Sequence, residues 1–223
     1  MKQTPIIIIS LERAKKRKET MIEQMLNHSL KCEYFPAFDG NDIINAAFTL
    51  PIIKGAGIGR KLQTSEICCT LSHLSALKHA QMMEYDEVII LEDDVILCED
   101  WNERITQLLK LLPDDWEYVY LSGHSDYEKF KKYDEPTVIP APKMVSSFSY
   151  MVNKSGIEKL IKQCSELTTT YDDMIMHKIL AKKLNGYVFM PFVTYHCAEE
   201  SYIWGETAKV HSSKFYFKNK IDE

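Results

Sequence analysis

The chain has 223 residues, 45% of them apolar and 26% charged, and its 27 basic and 32 acidic side chains leave a net charge of -5. This ordinary globular usage, in a length that suits one domain, excludes collagen-like, disordered and disulfide-scaffold chains. The sign of the charge opposes wrapping nucleic acid through its phosphates, and no nucleic-acid partner is expected.

Ile6, Ile7, Ile8 and Ile9 form a β-branched block without alternation, the pattern of a strand buried on both faces of a parallel sheet. The charged stretch Glu12 to Glu19 follows it, the reverse of the order in a signal peptide. No window reaches the ~18 continuous apolar residues of a membrane span. These features predict a cytoplasmic protein, or one that touches a membrane only at its surface. Leu11 to Leu30 reads as an amphipathic helix, and Cys32 to Gly40 as a short strand that ends in the turn pair Asp39-Gly40. Gly55, Gly57 and Gly59 mark a flexible loop that is no P-loop, because the Gly-Lys-Ser/Thr ending is missing.

A helix is predicted from Ser65 to Met83, with Thr64 or Ser65 as its N-cap. Ile67, Leu71 and Leu74 make its apolar stripe, and Glu66 and His73 project along one line beside it. Val88 to Leu91 is a second strand buried on both faces, and Glu92-Asp93-Asp94 stands at its end. Trp101 to Leu112 reads as a helix stopped by Pro113, and Tyr118 to Leu121 as a strand. Gly123 to Lys143, with Pro136, Pro140 and Pro142, reads as a mobile surface loop. Ser147 to Val152 is a strand, Ser155 to Cys164 and Asp172 to Leu184 are helices, and Tyr187 to Val193 is the last strand, leading to Tyr195-His196-Cys197. This alternation predicts an open α/β sheet with ligands beyond the carboxyl ends of its strands. The six cysteines include no C-x-x-C pair and read as reduced thiols.

Three consecutive acids at the end of a buried strand repel one another in low dielectric unless something neutralises them, and a divalent cation would do so. In an extended segment Glu92 and Asp94 point to one side and Asp93 to the other, so Glu92 and Asp94 are the pair expected to face an ion or a nucleotide. A solvated acidic turn is the competing reading.

The stretch Leu62-Gln63-Thr64-Ser65-Glu66-Ile67-Cys68-Cys69-Thr70-Leu71-Ser72-His73, followed by Ile90-Leu91-Glu92-Asp93-Asp94-Val95, resembles the central signature of family 25 glycosyltransferases. These are bacterial lipopolysaccharide or lipooligosaccharide galactosyltransferases and related collagen-modifying enzymes. Ile8-Ile9-Ser10-Leu11 with Arg13 and Arg17, then Phe38-Asp39-Gly40, and later Tyr150-Met151-Val152 with Gly156 and Leu160, resemble the family's other blocks. The resemblance implies a GT-A fold, an open, mixed, mostly parallel sheet with flanking helices, as a single domain over residues 1–205; composition sets off a basic and aromatic tail over 206–223. It implies inverting transfer of a hexose, galactose in the common case, from a UDP-sugar to a lipid-linked lipooligosaccharide or lipopolysaccharide acceptor.

In that framework Glu92-Asp93-Asp94 takes the role of the DXD motif. Asp94, Glu92 and His196 are the expected metal ligands, and an imidazole among carboxylates favours Mn²⁺ over Mg²⁺. Ser10, Leu11, Arg13, Arg17, Asp39, Glu66, Ser72, His73, Glu92 and Asp93 are the expected donor-binding residues. Asp172 or Asp173 would be the base, although both also suit the first turn of a helix as capping residues. Lys209, Lys214, Lys218 and Lys220 interleaved with Phe215, Tyr216 and Phe217 suit the headgroups of an anionic inner membrane, and a soluble tail is the alternative. Two other functions fit the same residues: a nucleotidyltransferase using these acids, or a catalytically silent binding protein in glycan assembly.

Overall fold

The computed structural model describes residues 3–42, 61–123, 133 and 135–197. The predicted Gly55-x-Gly57-x-Gly59 loop, much of the predicted 123–143 loop and the 206–223 tail lie outside the described residues. The elements run β1 (Ile6–Ser10), α1 (Lys15–Asn27), β2 (Glu33–Pro36), a 3-10 turn (Gly40–Asp42), α2 (Thr64–Met82), β3 (Glu87–Glu92), β4 (Val95–Leu97) and α3 (Trp101–Leu109). They continue with β5 (Tyr118–Tyr120), β6 (Thr137–Pro140), β7 (Ser149–Asn153), α4 (Lys154–Gln163), α5 (Tyr171–Leu180), β8 (Gly186–Met190) and β9 (Thr194–His196).

Seven strands form one sheet in the order β2-β1-β3-β7-β5-β8-β6. β1 is parallel to β2 and β3, and β5 is parallel to β8. β7 is antiparallel to β3 and β5, and β6 is antiparallel to β8. Five strands (β1, β2, β3, β5, β8) therefore share one direction, so the sheet is mixed and mostly parallel. Their carboxyl ends, with the amino end of β7, form the edge where the acids stand: Ile9 pairs with Glu92, and Leu91 with Ser149.

The isoleucine block behaves as its lack of alternation predicts. Ile7 and Ile9 pack with Val88 and Ile90 against α2, α4 and α5 on one face. Ile6 and Ile8 pack with Ile89 and Leu91 against α1 and α3 on the other. Each fully buried side chain of this kind contributes about 1.5–3 kcal/mol, which makes these two strands the centre of the fold.

Two departures from the sequence reading have local causes. The first helix begins at Lys15 and not at Leu11, after a turn closed by a bond from the Ala14 N–H to the Leu11 carbonyl at 3.0 Å. Part of the expected proline-rich loop is the strand β6, which pairs with β8 and so lies on the edge of the sheet. An edge tolerates Pro140, because one side of the strand donates to no ladder.

Gly156 lies in the first turn of α4, where its N–H donates to Asn153 Oδ1 at 2.9 Å. A Cβ there would stand 2.2 Å from the Glu117 carbonyl oxygen and 2.7 Å from Val152 Cγ2. Backbone cannot give way as a side chain does. Gly156→Ala should therefore cost about 1–3 kcal/mol, read as a lower Tm in a calorimetric scan.

Candidate active site

A cavity of about 580 Å³ opens at the carboxyl ends of β1 and β3 and is lined by residues of α2, of α5, of the loop before β7 and by His196. Its volume lies within the roughly 300–1,000 Å³ of small-molecule sites. Ser10, Leu11, Arg13, Arg17, Asp39, Glu66, Ser72, His73, Glu92, Asp93, Asp94, Asp172, Asp173 and His196 in the sequence all line or join the walls of this one cavity, apart from Ser10, which reaches it through Asp93.

The acidic triplet is not extended throughout. Glu92 ends β3, and Asp93 and Asp94 form a turn before β4. This corrects the expected alternation: Asp93 and Asp94 share one partner and Glu92 has another. Arg17 Nη1 lies 3.1 Å from both Asp93 Oδ1 and Asp94 Oδ2, and all three side chains are buried. Arg17, Met21 and Met25, four residues apart, form the buried line of α1, which aims the guanidinium inward. Ser10 Oγ donates to Asp93 Oδ2 at 2.7 Å, and His196 Nε2 lies 3.3 Å from Asp94 Oδ2. Glu92 Oε1 is 3.1 Å from His73 Nε2. Much of the charge compensation expected of a metal is thus supplied by the protein itself.

The titrations follow from these contacts. Burial opposes charge on Asp94, but the His196 bond and charge and the Arg17 charge outweigh it and hold the carboxyl below its usual range. Burial, with the Asp94 charge, leaves Asp93 above its usual range despite Ser10 and Arg17. Burial would lower His196, and the bond to Asp94 raises it instead.

His196 reaches Asp94 through a two-stranded ribbon in which Val95 pairs with His196 and Leu97 with Thr194, and the Cys197 N–H donates to the Asp94 carbonyl at 2.7 Å. Asp94 Oδ1 and His196 Nδ1 are buried and have no hydrogen-bond partner among the described residues. A carboxylate oxygen left so is costly, about 1–3 kcal/mol or more. An acceptor oxygen and an imidazole nitrogen are ligand types that suit a divalent cation, but Glu92, Asp94 and His196 do not bring their ligand atoms within 4.8 Å of one another as Cys69, His73 and Glu92 do.

α2 supplies the opposite wall. Its N-cap is Gln63, in place of the expected Thr64 or Ser65, and the Gln63 N–H donates to Glu66 Oε2 at 2.7 Å in a capping box. Glu66 is thereby held as the helix cap while it lines the cavity. Ser72 Oγ accepts from the Phe38 N–H at 2.9 Å and donates to the Cys68 carbonyl at 2.7 Å, which ties α2 to the segment after β2. His73 is fully buried, stacked on Tyr171 at 4.7 Å between ring centroids, with Nδ1 3.2 Å from Tyr150 Oη.

Arg13 Nε pairs with Asp39 Oδ2, and the Asn41 N–H donates to Asp39 Oδ1 at 2.9 Å; the Arg13 bond holds the Asp39 carboxyl below its usual range. In the first turn of α5, Asp173 Oδ2 accepts from Thr169 Oγ1 at 3.2 Å. Asp172 differs from it: burial, with the Asp173 charge, raises its carboxyl above the usual range against the Thr170 bond. Sequence reasoning passed over Cys69, Ser146, Thr170 and Tyr171, all of which line the cavity. Only Cys69 carried a usable signal, its four-residue spacing to His73 on a helix.

The model of the family described as Glycosyltransferase family 25 (LPS biosynthesis protein) matches residues 3–176. The chain belongs to glycosyltransferase family 25. A glycosyltransferase 25 family member of Aedes aegypti is 27% identical to this family 25 chain over 173 residues, 71% of this chain and 28% of that protein. Procollagen galactosyltransferase 2 of Homo sapiens is 24% identical over 168 residues, 70% of this chain and 27% of its own length. The chain spans well under a third of both relatives. A crystal structure of a glycosyltransferase involved in the glycosylation of the major capsid of PBCV-1 superposes with a TM-score of 0.53 at 10% identity, over 95% of this chain and 100% of that one. The fold is of the GT-A type.

Proposed function

We propose that this chain transfers a hexose from a UDP-sugar to a glycan acceptor with inversion at the anomeric carbon. The observation that carries the reading is that one cavity gathers the Glu92-Asp93-Asp94 turn, the α2 wall with His73, and Asp172 in its burial-raised state. In a single displacement the acceptor hydroxyl attacks the anomeric carbon, the bond to the UDP oxygen breaks, and the hydroxyl proton passes to a base. Asp172 is the base in this reading, because a raised carboxyl is the better proton acceptor near neutrality. Asp173 is turned to Thr169 and serves the helix end.

Glu92, Asp94 and His196 would hold a divalent cation, Mn²⁺ before Mg²⁺ for a set with an imidazole, and when bound it supplies positive charge to the departing diphosphate. The chain's own residues set that place: Ser10 and Arg17 fix Asp93, and His73 fixes Glu92. Arg13 and Asp39 face the same cavity and suit the nucleoside side of the donor. Galactose as the sugar is supported by the name of the human relative, and a lipooligosaccharide or lipopolysaccharide acceptor by the family's description. Among the described residues no helix is long and apolar enough to cross a membrane. In this reading a lipid-linked acceptor is met by surface contact at the cytoplasmic face of the inner membrane, with the 206–223 tail, basic and aromatic in composition, as the contacting segment.

A thermal-shift and UDP-release assay tests the reading. UDP-galactose with Mn²⁺ at a hundredfold excess over Kd should stabilise the chain by about 2.7 kcal/mol, and Asp94→Asn should lose both that shift and turnover. Full UDP release by Asp94→Asn would remove the triplet from the mechanism. Release of pyrophosphate in place of UDP, or of neither with any acceptor, would overturn the transfer reading.

A further inference from the structure

We propose that Cys69, His73 and Glu92 form a second metal site, built for Zn²⁺ or a similarly thiophilic divalent ion and distinct from the Glu92-Asp94-His196 set. Cys69 Sγ, a His73 ring nitrogen and a Glu92 carboxylate oxygen all lie within 4.8 Å of one another. Cys69 and His73 are four residues apart on α2, so both project from one face of the helix toward the end of β3. In a tetrahedral zinc site with Zn–S near 2.3 Å and Zn–N or Zn–O near 2.0–2.2 Å, neighbouring ligand atoms stand about 3.4–3.6 Å apart. The His73 Nε2 to Glu92 Oε1 distance of 3.1 Å is already close to that, and the separations from Cys69 Sγ are no more than 4.8 Å.

The surroundings of His73 are those of a ligand histidine. Its ring is clamped by the stacked Tyr171, and Nδ1 has Tyr150 Oη at 3.2 Å as its partner. When Nδ1–H donates to that oxygen, Nε2 presents its lone pair to the ion; such an outer partner fixes the tautomer and raises the basicity of the ligating nitrogen. Tyr150 Oη in turn lies 3.4 Å from Tyr171 Oη, so the outer shell extends a further step into the core. Three protein ligands at the wall of an open cavity leave the fourth position to water, the arrangement of an accessible zinc site and not of a closed structural one. A thiolate, an imidazole and one carboxylate select Zn²⁺ over Mn²⁺ and Mg²⁺, which prefer oxygen. Binding breaks the Cys69 S–H bond, forms S–Zn and releases one proton to solvent, with His73 bound through unprotonated Nε2 and its proton on Nδ1, and no change of oxidation state.

Glu92 is common to both metal sets, and its Oε1 is already turned to His73. Zinc at Cys69 and His73 therefore inhibits transfer by taking a carboxylate from the donor side of the cavity; that consequence rests on the transfer reading, and the binding itself does not.

Co²⁺ titrated into the full, chelator-treated chain is the direct probe. One equivalent should give a thiolate-to-cobalt charge-transfer band in the near ultraviolet and the visible bands of a four-coordinate ion, both erased by added Zn²⁺. Cys69→Ser should lose the charge-transfer band, and Cys68→Ser should keep it. Absence of the band in the unchanged chain, or its persistence in Cys69→Ser, overturns the site. Should Cys69→Ser not fold, peptide mapping of the unchanged chain decides: Zn²⁺ should slow alkylation of Cys69 at least tenfold, and an unaltered rate rejects the proposal. The titration requires no turnover, so its failure leaves the transfer reading standing, and the failure of UDP release leaves the titration result intact.

Discussion

Asp172→Asn should lower kcat by about 10²–10⁴-fold while the Tm at neutral pH stays level or rises. Asparagine keeps the shape of the side chain and its bond to Thr170 but cannot accept the proton of an acceptor hydroxyl. Burial, then the Asp173 charge, raises the Asp172 carboxyl. A carboxyl whose folded value exceeds its unfolded one stabilises the fold while it is protonated, and that stability is lost as pH rises from the unfolded value through the folded one. At neutral pH the charged Asp172 is therefore a cost to the fold, and its removal relieves it. Activity has the opposite sign, since the base must be ionised. The acid limb of kcat/KM should lie above the usual aspartate value of about 3.9, and Asp173→Asn, which removes the neighbouring charge, should move it to lower pH. Normal turnover by Asp172→Asn, or an acid limb indifferent to Asp173→Asn, would dismiss this assignment.

Arg17→Met should produce the largest loss of stability among single changes at the site. Its guanidinium is the shared partner of two buried carboxylates, and methionine fills similar space without charge. Breaking a buried pair from one side typically costs about 3–5 kcal/mol, which for a chain of this size lowers Tm by roughly 6–20 °C. Arg17→Lys should fall between the two, because an ammonium on a flexible stem does not reproduce the planar fork. Differential scanning calorimetry at neutral pH measures both. A Tm change for Arg17→Met within about 2 °C would mean that the triplet is compensated elsewhere.

The central strands, the order of helices and the position of the acids were legible because each is carried by a local pattern. The Ile6–Ile9 and Val88–Leu91 blocks have no alternation, and they proved buried on both faces. What the sequence hid depends on distant partners. β4 and β9 are three residues each, too short to show a period, and they exist because they pair with one another across almost a hundred residues. Arg17 was expected to face the donor, but its pairing with Asp93 and Asp94 was not legible, and only the packing of Met21 and Met25 shows which side of α1 is inward. The extended reading of the triplet failed for a related reason: Asp93 and Asp94 turn to share that guanidinium, a partner some 76 residues earlier in the chain. The two-fold choice at Asp172 and Asp173 was insoluble from spacing, since both suit a first helical turn; in the structure Asp173 accepts from the Thr169 hydroxyl, which is why Asp172 is the one proposed as base.

The β4–β9 ribbon also acts as a ruler. Because side chains alternate along a strand, sliding β9 by a single position would put Tyr195 or Cys197 where His196 now meets Asp94, and a buried carboxylate would exchange its imidazole for a phenol or a thiol. The path from Met190 to Thr194 is for that reason a fixed length, and an insertion or deletion there is transmitted directly into the charge balance of the pocket.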